Sequence, residues 1–341
     1  VIIDCHGHYT TTPPQHQAFR DAQLARLADP SLPVPRPERI SDDEIRDSVE
    51  NHQLKVLRRR GGDFMLFSPK ASGMEHHVTD PATARAWATA GNDLVHRVAT
   101  LFPAHFAAVC QLPQTPGGDL AGSVAELRRC VEELGFVGCN LNPDPSGGHW
   151  TSPPLTDPYW FPLYEAMSEL GVPAMVHVSS SCNPAFHTLG AHYLNADTSV
   201  FAQLMGGAEL FARFPALRFV IPHGGGAVPY HWGRYRGLAM REGRPDPAEL
   251  LRENVFFDTC VYHQPGIDLL HRVIGADNLL FASEMLGAVR GADPATGIEW
   301  DDTKAYVDGL KLTDEEYAKV FEGNARRVYP RLDARLTAEG R

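Results

Sequence analysis

Eight short apolar runs recur along this chain, and they constrain its fold more than any other feature. They are Val1–His6, Asp63–Ser68, Phe106–Leu112, Phe136–Leu141, Ala174–Val178, Arg218–His223, Val255–Cys260 and Leu279–Ser283. The runs are continuous rather than alternating, as in parallel strands covered on both faces. Helical stretches separate them. Asp42–Arg59 follows Ser41, with Glu44 completing a capping-box pattern. Asp80–Phe102 opens Asp-Pro, while Ser123–Leu134 and Tyr159–Leu170 end at Gly135 and Gly171. Asp197–Phe214, Pro265–Ile274 and Asp314–Phe321 complete the series. Strand and helix alternating in this way predict an α/β chain folded as a (β/α)8 TIM barrel. The 341 residues suit a single domain over 1–330, with 331–341 as a C-terminal tail. Two segments exceed the bare barrel, Thr10–Arg39 and His187–Asn195. Both follow strand ends, so both are expected as insertions on the C-terminal face.

Charge and cysteine usage exclude several classes. The chain carries 31 Lys+Arg against 42 Asp+Glu, a net charge of -11. A nucleic-acid partner calls for a basic excess or stripe, and neither is present. The run Arg58-Arg59-Arg60 closes a predicted helix and reads as a complement to its C-terminal dipole. No apolar stretch approaches the ~18 residues of a membrane span. Val1-Ile2-Ile3 reads as a strand rather than a secretory leader. The six cysteines form no CxxC pair, which fits reduced thiols in a cytoplasmic protein.

A barrel enzyme carries its chemistry at the C-terminal ends of its strands. Here those ends bear His6 and His8, Ser68 and Lys70, Gln111, Asn140 and Asn142, His177, His223, Asp258 and Cys260, and Glu284. Residues i and i+2 of a strand share a face, so His6-Gly7-His8 aims two imidazoles into the mouth. A divalent metal accepts both lone pairs, and His177 and Glu284 complete a set suited to one Zn²⁺. His223, before three glycines, is either a further ligand or a general base; the filled ligand set favours the base. Asp4 shares the face of His6 and is either an acceptor orienting an imidazole or a structural acid. Asp258 and Cys260 share one face of their strand, with their roles open. Lys70, Arg234 and Arg290 follow strands on the active-site side and suit a substrate with several carboxylates. Tyr159-Trp160-Phe161 reads as helix packing.

The pattern Asp4-Cys5-His6-Gly7-His8, then His177, then Ile221-Pro222-His223-Gly224-Gly225-Gly226 with Pro229, resembles the amidohydrolase superfamily over nearly the whole length. Within it the chain is similar to the branch of aminocarboxymuconate-semialdehyde decarboxylase and related metal-dependent decarboxylases. Those enzymes end the eighth strand with aspartate. Here Ser283-Glu284-Met285-Leu286-Gly287, with Cys5–Thr10 and Gly190–Asp197, resembles instead the 4-oxalomesaconate hydratases of that branch. The resemblance implies one zinc held by His6, His8, His177 and Glu284. It implies reversible hydration of 4-oxalomesaconate to 4-carboxy-4-hydroxy-2-oxoadipate, in bacterial degradation of protocatechuate and gallate. Glu284 and His223 would be the acid and base, and Lys70, Asn183, Tyr193, Asn195, Arg234 and Arg290 the binders of the tricarboxylate. A homo-oligomer, a dimer first, is expected. The hydratases carry a cysteine where this chain has Ala185, so a proton handled there needs another group. The competing reading is a zinc-dependent decarboxylase of a muconate-type or aromatic acid.

Overall fold

The computed structural model describes residues 1–186 and 189–341. Eight strands form one parallel sheet in sequential order: β1 (Ile3–Tyr9), β2 (Phe64–Pro69), β3 (Phe106–Gln111), β4 (Gly138–Leu141), β5 (Ala174–Val176), β6 (Phe219–Ile221), β7 (Val255–Asp258) and β8 (Leu279–Leu280). The sheet curls back on itself: Cys5 N–H donates to Phe281 O at 2.9 Å and Glu284 N–H to His6 O at 2.8 Å. This arrangement agrees with a TIM-barrel α/β fold.

Two strands differ from expectation in a way that matters for the site. β1 continues through His8 to Tyr9, with a slip in its pairing to β2 between Asp4 and Gly7. A Cβ on Gly7 would stand 2.4 Å from Met65 Sδ and 2.9 Å from Leu66 O. Only glycine lets the two strands meet there, between the two histidines. β8 is only Leu279–Leu280, because side chains replace its ladder further on. Thr259 Oγ1 accepts Ala282 N–H at 2.9 Å and donates to Ala282 O at 3.0 Å.

The capping box forms as read, with Glu44 N–H on Ser41 Oγ at 3.2 Å and Ser41 N–H on Glu44 Oε2 at 2.8 Å. It starts a helix that stops at Glu50; His52, at φ −126° and ψ −94°, separates it from a second helix, Gln53–Arg59. The stretch expected as Asp197–Phe214 is likewise two helices, Leu189–Leu204 and Ala208–Arg213. Phe161–Leu170 ends at Gly171 with φ 63°, and Trp160 before it is fully buried, as packing requires. Thr10–Arg39 contains the helix Pro14–Ala28. Of the second expected insertion, His187 and Thr188 lie outside the described residues, and the rest begins the helix Leu189–Leu204.

The C-terminal residues include the helix Pro330–Ala338, whose Leu332 and Leu336, one turn apart, are fully buried. They pack with Ile3, Phe64, Leu66 and Val109 from the sheet interior, and Arg335 donates to Phe106 O at 3.2 Å. Arg58 and Arg59 fall in the last turn of the helix Gln53–Arg59, as a dipole complement should, and the run also makes specific pairs. Arg58 meets His105 Nε2 at 3.0 Å, Arg59 pairs with Glu299, and Arg60 pairs with Asp301 at 2.6 Å. Among the described residues no helix is long and apolar enough to cross a membrane.

Candidate active site

Three imidazoles, two on β1 and one immediately after β5, are each fixed through Nδ1. His6 Nδ1 donates to Asp258 Oδ2 at 2.8 Å, His8 Nδ1 to Ser68 Oγ at 2.7 Å, and His177 Nδ1 to Val178 O at 2.7 Å. A carbonyl only accepts, so the His177 proton sits on Nδ1, and the tautomer follows from its partner. Its Nε2 is buried and has no hydrogen-bond partner among the described residues. His6 and His8 bring their Nε2 atoms to 3.0 Å of each other. With both protons on Nδ1, two lone pairs face each other there, and a cation relieves the repulsion. Burial holds His8 down to about 3 and His177 well below the ordinary imidazole value, so both stay neutral donors.

Glu284 and His223 meet this cluster. Ligand atoms of His6, His177, His223 and Glu284 lie within 4.8 Å of one another. Glu284 stands between two histidines, with Oε1 3.9 Å from His8 Nε2 and Oε2 3.5 Å from His223 Nε2. Burial alone would raise the Glu284 carboxyl, but the hydrogen bond to His223 and the neighbouring imidazoles hold it below the usual range. Burial likewise works against a charged His223, and is outweighed by Asp197 and Glu284, which hold it well above the ordinary value. An orphaned buried nitrogen, facing lone pairs and an ionised carboxylate make a donor set that fits a borderline-soft divalent ion.

The turn carrying Glu284 is unusual. Glu284 and Leu286 adopt φ 50° and 59°, left-handed conformations that cost non-glycine residues on the order of 1–3 kcal/mol each. Gly287 follows where a Cβ would lie 2.6 Å from Glu284 O and 3.1 Å from its Cγ.

Three acids support these groups. Asp197, on the helix Leu189–Leu204, accepts His223 Nδ1–H at 2.9 Å and so turns Nε2 toward Glu284. Asp258 holds His6 through Oδ2 while Oδ1 accepts Cys260 N–H at 3.0 Å and Gly224 N–H at 3.2 Å. Cys260 is buried, its Sγ 3.5 Å from His6 Nδ1. Asp4 is a backbone clasp rather than an imidazole partner. It accepts Ser283 Oγ–H at 2.5 Å, Ser283 N–H at 3.0 Å and His6 N–H at 3.1 Å, tying β1 to the segment after β8.

A cavity of about 570 Å³, partly open to solvent, lies over the cluster. Its walls bring together Lys70, Tyr193 and Arg290 with His8, His177 and Glu284. The Tyr193 hydroxyl is buried in this wall, with Ser72 as its neighbour in the cavity. Arg290 donates to Leu286 O at 2.8 Å. Asn183, Asn195 and Arg234 are not brought to this cavity. Asn183 closes its own loop, donating to Gly148 O at 2.7 Å and accepting Ala185 N–H at 2.9 Å. Asn195 is exposed on its helix, and Arg234 is exposed on the helix Trp232–Arg241. Sequence reasoning passed over Asp197 and left Asp258 open. The signal for Asp197 was its spacing, one helical turn after Tyr193 on the same face.

A curled parallel sheet with imidazoles and a carboxylate converging at its strand ends is the architecture of a metal-dependent amidohydrolase. Residues 3–331 match the amidohydrolase family, and the chain belongs to it. It is 60% identical to the 2-keto-4-carboxy-3-hexenedioate hydratase of a Sphingobium species, over 100% of this chain and 99% of that protein. The crystal structure of 4-oxalomesaconate hydratase from Rhodopseudomonas palustris is similar with a TM-score of 0.91 and 54% identity, covering 100% of this chain and 99% of that one. A 5-carboxyvanillate decarboxylase from Novosphingobium aromaticivorans, solved with bound manganese, shares the fold at a TM-score of 0.69 and 19% identity, covering 97% of each chain.

Proposed function

We propose that this chain adds water reversibly to 2-keto-4-carboxy-3-hexenedioate, giving 4-carboxy-4-hydroxy-2-oxoadipate. The observation that carries the reading is Glu284, a carboxylate in the cavity wall between His8 and His223 and beside Lys70 and Arg290. Full-length identity of 60% to a hydratase of that substrate supports it. Between the two substrate names, the chemistry favours the 3-hexenedioate. Its alkene is conjugated with the 2-keto group, so C4 is electrophilic. In 4-oxalomesaconate a methylene separates ketone and alkene, so that isomer would first need a proton shift.

The residues divide the work. Lys70 and Arg290 bind carboxylates, and the Tyr193 hydroxyl, in the cavity wall with Ser72, donates to substrate oxygen. Water oxygen bonds to C4 as its proton passes to Glu284, and the alkene electrons move to the keto oxygen as an enolate. Glu284 then returns the proton to C3. His223, oriented by Asp197, is the proton partner of Glu284.

One zinc is proposed, held by His6, His8 and His177 with Glu284, and manganese is the competing ion. When bound, the ion supplies Lewis acidity beside the reacting oxygen. The sheet is proposed to be a closed (β/α)8 barrel, with residues 10–39 and 187–195 covering its C-terminal face. The lining of the two neighbouring cavities by Thr10, Thr12, His16 and Tyr193 supports this.

The test is Glu284→Gln. Gln keeps the size and the fold, so substrate binding should persist while turnover falls by ~10²–10⁴-fold. Near-normal turnover would move the proton transfer to His223.

A further inference from the structure

Glu284 sits on a turn that its residues do not favour, and something must hold it. Gly287 N–H closes the turn on Glu284 O at 3.0 Å, and β1 takes Glu284 N–H on His6 O at 2.8 Å. The Thr10 hydroxyl donates to Leu286 O at 2.8 Å. Met285 N–H is taken by Ser283 Oγ at 3.1 Å, and Leu286 N–H by Asp301 Oδ2 at 2.9 Å.

Asp301 is 4% exposed and does not line the cavity over the metal ligands. Its other carboxylate oxygen meets Arg60 at 2.6 Å, and the same guanidinium donates to Asp301 O at 2.8 Å and to Glu299 Oε2 at 2.8 Å. Arg60 therefore fixes both the side chain and the backbone of Asp301. A buried carboxylate anchored by a guanidinium is a stronger and more directional acceptor than water. Leu286 is itself left-handed, with φ 59°, so releasing its amide lets the turn relax toward ordinary backbone.

We infer that Asp301 and Arg60 are positioning residues of the reaction. Through the Leu286 amide they keep the left-handed turn formed, and the turn keeps the Glu284 carboxylate between His8 and His223. This assigns a role to the last arginine of the Arg58–Arg60 run. The inference rests on the hydratase reading for its rate readout only.

The experiment compares Asp301→Ala, Asp301→Asn and Glu299→Gln with the wild type. It measures kcat, KM, metal content and amide hydrogen exchange in peptides covering 283–290, the last without substrate. Asp301→Ala should speed exchange in that segment and lower kcat by about 10- to 100-fold, since a displacement near 1 Å costs that much. KM should rise by a smaller factor than kcat falls, because Lys70 is untouched and only Arg290, which donates to Leu286 O, leans on the turn. Asp301→Asn can offer its oxygen to Leu286 N–H or to Arg60 but not to both, so it should fall between wild type and alanine in both readouts. Glu299→Gln removes the charge of an Arg60 partner but not the Leu286 bond, and should keep wild-type kcat. If the alanine variant does not accumulate, Asp301→Ser takes its place. Wild-type kcat in a folded alanine or serine variant overturns the inference, as does a fall in kcat with exchange of 283–290 unchanged. Absence of hydration by the wild type instead counts against the hydratase reading, and the exchange comparison then decides this one alone.

Discussion

Asp258→Asn should cost the protein metal affinity through a tautomer, not through a lost ligand. Asp258 Oδ1 accepts two backbone amides, Cys260 N–H at 3.0 Å and Gly224 N–H at 3.2 Å. An asparagine must keep its oxygen there, because an NH₂ group would confront both donors. Its NH₂ is then forced toward His6 Nδ1, where Asp258 Oδ2 now accepts at 2.8 Å. His6 must answer by accepting at Nδ1 and carrying its proton on Nε2. That proton points at His8 Nε2, 3.0 Å away, and removes the lone pair offered to the ion. Loss of such a supporting carboxylate typically costs 10–100-fold in metal affinity, about 1.4–2.7 kcal/mol. Zinc competition with a chromophoric chelator measures it. The asparagine change adds no volume, so the thermal midpoint of the metal-free protein should move little. Wild-type zinc affinity in a folded Asp258→Asn protein would refute the tautomer argument and with it the place of His6 among the ligands.

Two further outcomes follow from buried groups. His76 is neutral, accepting from Asn142 Nδ2 at 2.8 Å and donating to Leu112 O at 3.1 Å, and burial lowers it from 6.5 to about 4. The unfolded chain takes that proton first, so its contribution is present above pH 6.5 and is lost as pH falls through 4, at most about 3 kcal/mol. Urea unfolding of wild type and His76→Gln across that window should show a shallower loss in the variant; equal slopes would contradict the assignment. Arg290→Met should raise KM for the tricarboxylate by about 10- to 100-fold, the worth of a charged hydrogen bond to carboxylate. An unchanged KM would make Arg290 only a support of the Leu286 carbonyl.

The eight strands were readable because a sheet covered on both faces must be apolar throughout, and that pattern survives in sequence. The histidines were readable for a related reason. Polar groups at the ends of such runs, at i and i+2, have few other places to point. Helical phase was harder to read. Tyr193 and Asn195 look like neighbours in sequence, but two residues of helix turn the side chain about 200°, so one faces the cavity and the other solvent. The same geometry puts Asp197 beside Tyr193. The choice among acids depended on long-range partners: Asp258 serves His6 across the sheet, whereas Asp4 serves the backbone after β8. Nothing local in sequence marks which of the two does which. Asp301 could not be read at all, since its role exists only where Leu286 and Arg60 meet it.

The most direct measurement is to offer the purified wild-type protein 2-keto-4-carboxy-3-hexenedioate and follow both the conjugated enone absorbance and released CO₂. Hydration predicts loss of the absorbance, appearance of the tertiary alcohol by NMR, reversal when 4-carboxy-4-hydroxy-2-oxoadipate is supplied, and no CO₂. Stoichiometric CO₂ from a muconate-type or aromatic acid, with the enone left untouched, would contradict the account and make the chain a decarboxylase.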